Sequence, residues 1–331
     1  MREGATMSAT PLVSVIIPTY NRAHIIERAI RSVLNQTYTN LEICVVDDAS
    51  SDNTAEVVTA INDPRLRYIR LTQNQGGGGA RNVGIEATTG RYIAFLDSDD
   101  EWLPPMLERL LTYLMQADRR VGTVYCDYYV YDDVQQQISL TRSPMYTGRE
   151  VYPQLLNGWT QALSTFLLRR CPLVAVGMFD PRLPRMQDYE LWVRLAQICD
   201  FHAIDEPLVI KHEFASAQTS RNLTSINRAL DIFMDQWQTM LHRDIGVAKT
   251  ERLRQIFLQY AYLAHAMTLS EHGQRWESFK TVVACRRATG PIPLKRLIRV
   301  MLPILFGYRV YFFALSFQSK LVRWRSGREV A

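Results

Sequence analysis

Four carboxylates stand within five positions at Asp97, Asp99, Asp100 and Glu101. They follow residues 92–96, a short apolar and β-prone run bounded by Gly90, which reads as a buried central strand. Acids at the mouth of a buried strand are costly unless something positive sits among them. Oxygen-rich clusters of this kind suit a hard divalent cation, and Mg²⁺ commonly arrives carrying phosphates. The same residues admit a plainer reading, a solvated acidic loop capping a helix that starts near Trp102. A second acidic pair, Asp47 and Asp48, ends another apolar run at residues 41–46.

The elements needed to position these acids are legible from periodicity. Residues 13–17 form an apolar run ended by Pro18, and residues 24–34 have helical spacing through Ile25, Ile26, Ala29, Ile30, Val33 and Leu34. Strand 41–46, helix 54–61, strand 66–71, helix 80–87 and strand 92–96 follow. This alternation predicts an α/β fold with a mostly parallel sheet flanked by helices. In such sheets ligands bind outside the carboxyl ends of the strands. The segments beginning at Pro18, Asp47 and Asp97 should therefore converge on one site. Further on, 121–130 reads as a strand, while 188–198, 226–241 and 251–285 read as helices.

The glycine run 76–79 invites a phosphate-loop reading, but the spacings refuse it. A GxGxxG pattern needs glycine where Arg81 or Asn82 stands. Gly79 and Gly84 satisfy GxxxxG, yet Ile85 and Glu86 replace the Lys-Ser/Thr that would hold phosphate and Mg²⁺. A mobile loop that lets the chain approach a ligand is the use expected for the four glycines, with a plain surface loop as the alternative. No zinc spacing and no HExxH pattern occurs.

The chain has 331 residues, 47% hydrophobic and 21% charged, and is globular by composition. Its length allows about two domains. The five cysteines are far apart and show no CxxC spacing, which points to reduced thiols in a cytosolic protein. Residues 1–10 lack the apolar core of a secretory signal. Residues 286–328 hold ten Lys or Arg and no acid, against a net charge of +5 for the whole chain. The remainder is thus mildly acidic, and so basic an end calls for a partner.

Five runs, in order, resemble the signatures of family 2 glycosyltransferases with the GT-A (Rossmann-like) fold. They are Val13-Ser-Val-Ile-Ile-Pro-Thr-Tyr-Asn-Arg22, Ser32-Val-Leu-Asn-Gln-Thr-Tyr38, Val45-Val-Asp-Asp-Ala-Ser-Ser-Asp-Asn-Thr54, Gly79-Ala-Arg-Asn-Val-Gly84 and Leu96-Asp-Ser-Asp-Asp100. The resemblance implies inverting transfer of a sugar from a nucleotide-diphosphate donor, a UDP-sugar being favoured, with Mg²⁺ or Mn²⁺ as cofactor. By position it implies that Pro18 and Tyr20 frame the nucleobase and ribose, that Asp48 accepts a hydrogen bond from the base, and that Arg81 reaches the diphosphate. Asp97 would face the ribose, Asp99 would bind the metal and Asp100 would lean toward the donor sugar.

The general base of such a transfer takes a proton from the acceptor hydroxyl. The family supplies it from an acidic pair shortly before a Trp, which here matches Met186-Gln-Asp-Tyr-Glu-Leu-Trp192. Asp188 falls on the base position, Gln187 replaces the expected acid beside it, and Glu190 is the fallback. A later element, Val209-Ile-Lys-His-Glu213, resembles one ending in a His near metal and diphosphate, making His212 a candidate for that contact. Ile210 and Lys211 depart from the usual lead-in. The QxxRW run of processive members has no match, since Gln274-Arg-Trp276 is too short, so single-sugar addition is expected.

The expected organisation is a glycosyltransferase domain at 11–215, a helical extension at 216–290, and a basic, apolar tail at 291–331. Residues 294–317 are intensely apolar, but Arg299, Pro303 and Arg309 argue against a membrane span, each central Arg costing about 3 kcal/mol on insertion scales. A segment lying in the interface fits better, held to the inner face of the cell membrane by its basic residues. A glycan or polyprenyl-lipid-linked acceptor would explain that placement. A packed helical pair or a homodimer interface is the alternative use of the tail, and no nucleic-acid motif accompanies the charge. The competing function is a non-catalytic nucleotide-sugar-binding or membrane-scaffold protein retaining the fold.

Overall fold

The computed structural model describes residues 10–133, 136–213 and 223–306. The strands are β1 (Val13–Thr19), β2 (Leu41–Asp47), β3 (Leu66–Arg70), β4 (Tyr92–Phe95), β5 (Glu101–Trp102), β6 (Val121–Asp132), β7 (Gln137–Thr141), β8 (Phe166–Arg169) and β9 (Asp200–Glu213). They join one sheet in the order β3-β2-β1-β4-β8-β6-β9-β5, with β7 paired to β6. The expected parallel sheet is its first half: β3, β2, β1 and β4 are all mutually parallel. Beyond β4 the sheet becomes mixed, with β8 antiparallel to both β4 and β6, while β6 and β9 run parallel.

Helices α1 (Ile26–Leu34), α2 (Thr54–Thr59), α3 (Gly76–Ala87), α4 (Met106–Gln116), α5 (Val151–Leu155), α6 (Arg170–Ala175) and α7 (Gln187–Ile198) accompany the sheet. β1 is buried along nearly its whole length, because both of its faces are covered. On one face Val13, Val15 and Ile17 pack with Ile26, Ala29, Ile30 and Val33 of α1 and with Leu107, Leu110 and Leu114 of α4. On the other, Cys44 and Val46 of β2 pack with Ala80 of α3. Further along the sheet Phe166 and Trp192 stack with ring centroids 4.0 Å apart, tying β8 to α7.

The glycine run departs from expectation, forming the first turn of α3 instead of a mobile loop. Glycine is a poor helix former, so the turn depends on outside support. That support is the Asp48 carboxylate, which accepts backbone N–H bonds from Gln75 (2.6 Å) and Gly76 (2.9 Å). Gly76 has φ +76°, a conformation other side chains rarely adopt.

The chain divides into two compact units, Met1–Phe214 and Ala215–Ala331. The second contains α8 (Leu223–Ile245), α9 (Val247–Glu271), α10 (Arg275–Thr289) and α11 (Leu294–Phe306). The helix expected over 251–285 is two helices broken at Gly273, whose φ of +76° ends α9. Leu263 and Ala266 of α9, Val282 and Cys285 of α10, and Val300 and Ile304 of α11 form this unit's own core. No helix of the described residues is long and apolar enough to cross a membrane. The part of the expected tail from residue 307 onward, with Arg309, Lys320, Arg323 and Arg325, lies outside the described residues.

Candidate active site

Parallel register brings the ends of β1, β2 and β4 to one edge: Thr19 pairs with Asp47, and Ile16 pairs with Phe95 one residue before Leu96 and Asp97. Pro18 is the penultimate residue of β1, and Tyr20 follows at the rim, 48% exposed. Beneath Tyr20, the Thr19 hydroxyl is buried without a hydrogen-bond partner among the described residues. Asn21, at φ 52°, accepts backbone N–H from Ser51 and donates its own N–H to Ser50, lacing the end of β1 to the loop after β2. Asp47 and Asp48 divide the work there. Asp47 accepts from the Ser50 N–H and the Tyr68 hydroxyl, as a turn residue does. Each oxygen of Asp48 takes one helix-capping N–H, leaving it one further acceptor site.

The four acids after β4 do not act as one group. Ligand atoms of Asp97, Asp99 and Asp100 lie within 4.8 Å of one another. Glu101 turns away into β5, where its carboxylate meets His212 Nε2 at 2.9 Å. Burial and then the charge of Asp97 raise the carboxyls of both Asp99 and Asp100 above the ordinary carboxylate range. A hard divalent cation would relieve that repulsion, and three carboxylates without sulfur or free imidazole are the donor chemistry it prefers. Positive side chains already ring the cluster. Arg22 Nη2 stands 3.9 Å from Asp99, Arg28 donates to the Asp99 carbonyl at 2.8 Å, and Lys211 lowers both Asp99 and Asp100 through space.

Ser164, a residue with no signal in the sequence, fixes the turn of the acid loop. It lies fully buried in a one-turn 3₁₀ helix, Leu163–Thr165, just before β8. Its hydroxyl accepts the Asp97 N–H (3.2 Å) and donates to Asp100 Oδ2 (2.7 Å), while its carbonyl accepts the Trp102 indole N–H. The other Asp100 oxygen accepts the His212 backbone N–H at 3.3 Å.

His212 reaches the cluster differently from expectation. Its Nδ1 meets Asp133 at 3.0 Å and its Nε2 meets Glu101, so both ring nitrogens are engaged by carboxylates. A direct ring contact to metal or phosphate requires one of those pairs to open. As arranged, His212 touches the acid loop through its backbone and clamps β9 to β5 and to the end of β6 through its ring.

Arg81 projects from α3 toward the cluster. Nη2 donates to Asp97 at 2.6 Å, Nη1 reaches Gln187 at 3.3 Å, the guanidinium lies 5.6 Å from the Phe179 ring centroid, and Nε is buried with no hydrogen-bond partner among the described residues. A Cβ at Gly77 would stand 2.9 Å from Arg81 Nη1, so a side chain there would crowd the guanidinium. Gln187 thus takes a share of Arg81 that a carboxylate would have taken as an ion pair.

Asp188, half-buried in the first turn of α7, accepts its neighbour Tyr189's N–H. Burial raises its carboxyl above the ordinary aspartate value, Arg81 lowers it, and Asp97 raises it again. Those influences put Asp188 in the same electrostatic neighbourhood as the cluster. Met186, immediately before α7, holds a left-handed φ of 60°, a conformation that costs a non-glycine residue about 1–2 kcal/mol. Glu190, the fallback base, is fully buried in a two-pronged pair with Arg194 at 2.7 and 2.6 Å, a structural engagement that removes it from consideration.

Residues 14–176 match the family described as Glycosyl transferase family 2. An uncharacterized glycosyltransferase of Rickettsia felis is 31% identical over 268 residues, covering 78% of this chain but 42% of that protein, so the chain spans less than half of that relative's length. The Escherichia coli protein named UDP-Glc:alpha-D-GlcNAc-diphosphoundecaprenol beta-1,3-glucosyltransferase WfgD is 31% identical over 234 residues, 70% of this chain and 89% of that one. Among solved structures, mannosyltransferase PcManGT from Pyrobaculum calidifontis, in complex with GDP-Man and Mn²⁺, shares the fold with a TM-score of 0.54 at 22% identity, covering 95% of this chain and 86% of that one. With its strand order, its acid loop and this shared sequence, the chain belongs to the family 2 glycosyltransferases.

Proposed function

We propose that the chain is an inverting, metal-dependent glycosyltransferase. It moves a single sugar from a nucleotide-diphosphate sugar to a glycan or polyprenyl-linked acceptor in bacterial polysaccharide biosynthesis, at the cytoplasmic face of the membrane. The observation that carries this reading is the reach of Asp97. Its charge acts on Asp99, Asp100 and Asp188 alike, and it bonds Arg81 directly. One carboxylate thus links the group suited to metal, the group suited to diphosphate and the group suited to proton removal.

In this reading Tyr20 packs on the nucleobase, Pro18 walls the pocket, and Asp48 offers its remaining acceptor sites to the base. Asp97 faces the ribose and Asp100 the donor sugar. Asp99 holds Mg²⁺ or Mn²⁺ with the carboxylates beside it; when bound, the cation supplies positive charge at the leaving diphosphate. Arg81 presents a planar fork suited to two phosphate oxygens. Asp188, with its affinity for a proton raised by burial, takes the proton from the acceptor hydroxyl. His212 acts from beneath, holding the acid loop through its backbone N–H. The glucosyltransferase relative's diphosphoundecaprenol acceptor and UDP-Glc donor support a lipid-linked acceptor and a UDP-sugar here. The Mn²⁺ of the mannosyltransferase structure supports the metal, although the donor there carries guanine.

A thermal-shift screen of UDP-, GDP- and dTDP-sugars, each with Mg²⁺ or Mn²⁺ and again with EDTA, tests the reading. One nucleotide class should raise the melting temperature, and EDTA should abolish the rise. If no nucleotide sugar stabilises the protein in the presence of metal, the reading fails.

A further inference from the structure

α11 carries three different arcs around its axis. The inner arc packs into the helical unit: Val300 and Ile304 are buried, and Leu297 and Met301 lie against the same core. A second arc is apolar yet faces out. Leu294, Ile298 and Leu305 are 70%, 47% and 59% exposed, and at 3.6 residues per turn they fall within about 40° of one another. The helical positions of Lys295 and Arg299 form a third, basic arc about 80–120° round the axis from the middle of that stripe. Arg296 falls on the opposite side of the helix, and no acid occurs anywhere in residues 286–328. The Arg296 guanidinium lies 4.6 Å from the ring centroid of Tyr260, itself 54% exposed on α9. A lone exposed leucine needs no explanation, but a stripe of three large aliphatic residues bordered by a basic arc does.

We propose that this outer face of α11 is a membrane-contact surface and that its occupant is an anionic lipid bilayer, with the helix lying in the plane of the headgroups. The proposal rests on the reading that the enzyme works on an acceptor held at a membrane. Charge selects the occupant. A second copy of the chain would bring one acid-free, basic segment against another, whereas anionic headgroups neutralise the basic arc while the acyl boundary takes Leu294, Ile298 and Leu305. Lys295, Arg296 and Arg299, with Pro303 inside the helix, make these turns costly to bury in a bilayer core, so the arrangement proposed for them is flat in the interface. The contact belongs to a folded element: removing everything after residue 290 would strip Val300 and Ile304 from the core they share with Leu263, Ala266 and Cys285. Substitution of the outer stripe is therefore the informative probe.

The test is co-sedimentation of the full chain with phosphatidylglycerol/phosphatidylethanolamine vesicles and, separately, with phosphatidylcholine vesicles. The wild-type protein should bind the anionic vesicles, and added salt should weaken that binding. A Leu294→Gln/Ile298→Gln/Leu305→Gln variant should partition on the order of a hundredfold more weakly, with melting temperature and donor-induced thermal shift unchanged. Ile298→Glu alone, which places a like charge against the headgroups, should show the same loss in smaller measure. Equal vesicle binding by wild type and both variants would overturn the inference and leave the membrane reading standing, with binding assigned to residues after 306. Failure of the wild-type protein to bind anionic vesicles, while it transfers sugar to a soluble acceptor, would overturn both. A change from dimer to monomer on substituting the stripe, with vesicle binding intact, would make this face a contact between copies and overturn the inference.

Discussion

The two halves of the sheet hold their charged groups by different means. In the parallel half, polar groups are satisfied by backbone N–H groups of neighbouring loops: Asp47 by Ser50, Asp48 by Gln75 and Gly76 at the start of α3, and Asn21 by Ser51 in the loop after β2. In the mixed half they are satisfied by side chains far away in sequence. His212 meets Glu101 across 111 positions, and Ser164 meets Asp100 across 64. The acid loop sits where the halves meet, its order set from one side by Arg81 and from the other by Ser164 and His212. The difference teaches where fragility lies. A loop capped through backbone N–H groups loses those bonds alone when its acid changes, while a buried side-chain pair strands its charged partner.

The largest effect tests whether the two halves serve one reaction. Asp188→Asn, at the mixed-half side of the site, should lower single-turnover transfer by about a thousandfold. Donor affinity, which the proposed function assigns to the parallel half, should stay near wild type by isothermal titration; a fully active variant removes Asp188 as the base. The wild-type pH profile carries a sign of its own. Burial favours the protonated form of Asp188, and a base must be ionised to act, so kcat should fall with decreasing pH at values above the ordinary aspartate range.

The next effect is structural. His212→Gln leaves Glu101 and Asp133 without their shared imidazole and should cost about 2–3 kcal/mol in urea unfolding. Asp48→Ala, which removes a helix cap in the parallel half, should cost about 1 kcal/mol by the same measurement. Equal losses from the two would erase the contrast between the halves. The smallest effect sharpens the boundary itself. Gln187→Glu supplies the acid expected beside the proposed base, and should change maximal kcat by about twofold at most. Its added negative charge next to Asp188 should move the acid limb of the pH profile upward. An unmoved limb would mean that Gln187 belongs to Arg81 alone.

The contrast also explains what could be read in advance. In the parallel half β1, β2 and β4 are apolar runs, the last two leading into acids, and short-range hydrophobic spacing defines them without knowledge of the rest of the chain. The glycine run misled because its helical turn draws on a carboxylate 27 and 28 positions upstream. Glu190, read as a possible base, is buried against Arg194, which spacing alone does not distinguish from a residue facing substrate. Ser164 was invisible because one buried serine among many has no pattern, and its importance is only that two ends of the acid loop meet at its hydroxyl.

By itself the sequence determined the family, the alternating elements of the first half, and which acids stand at the strand ends, since these depend on residue type and near-neighbour spacing. Tertiary structure decided which of four adjacent acids form the cluster, that His212 reaches it through its backbone, and that α11 turns one apolar face inward and another outward. Each of those outcomes depends on which distant group satisfies a buried charge or covers an apolar surface, and the folded chain alone brings those groups together.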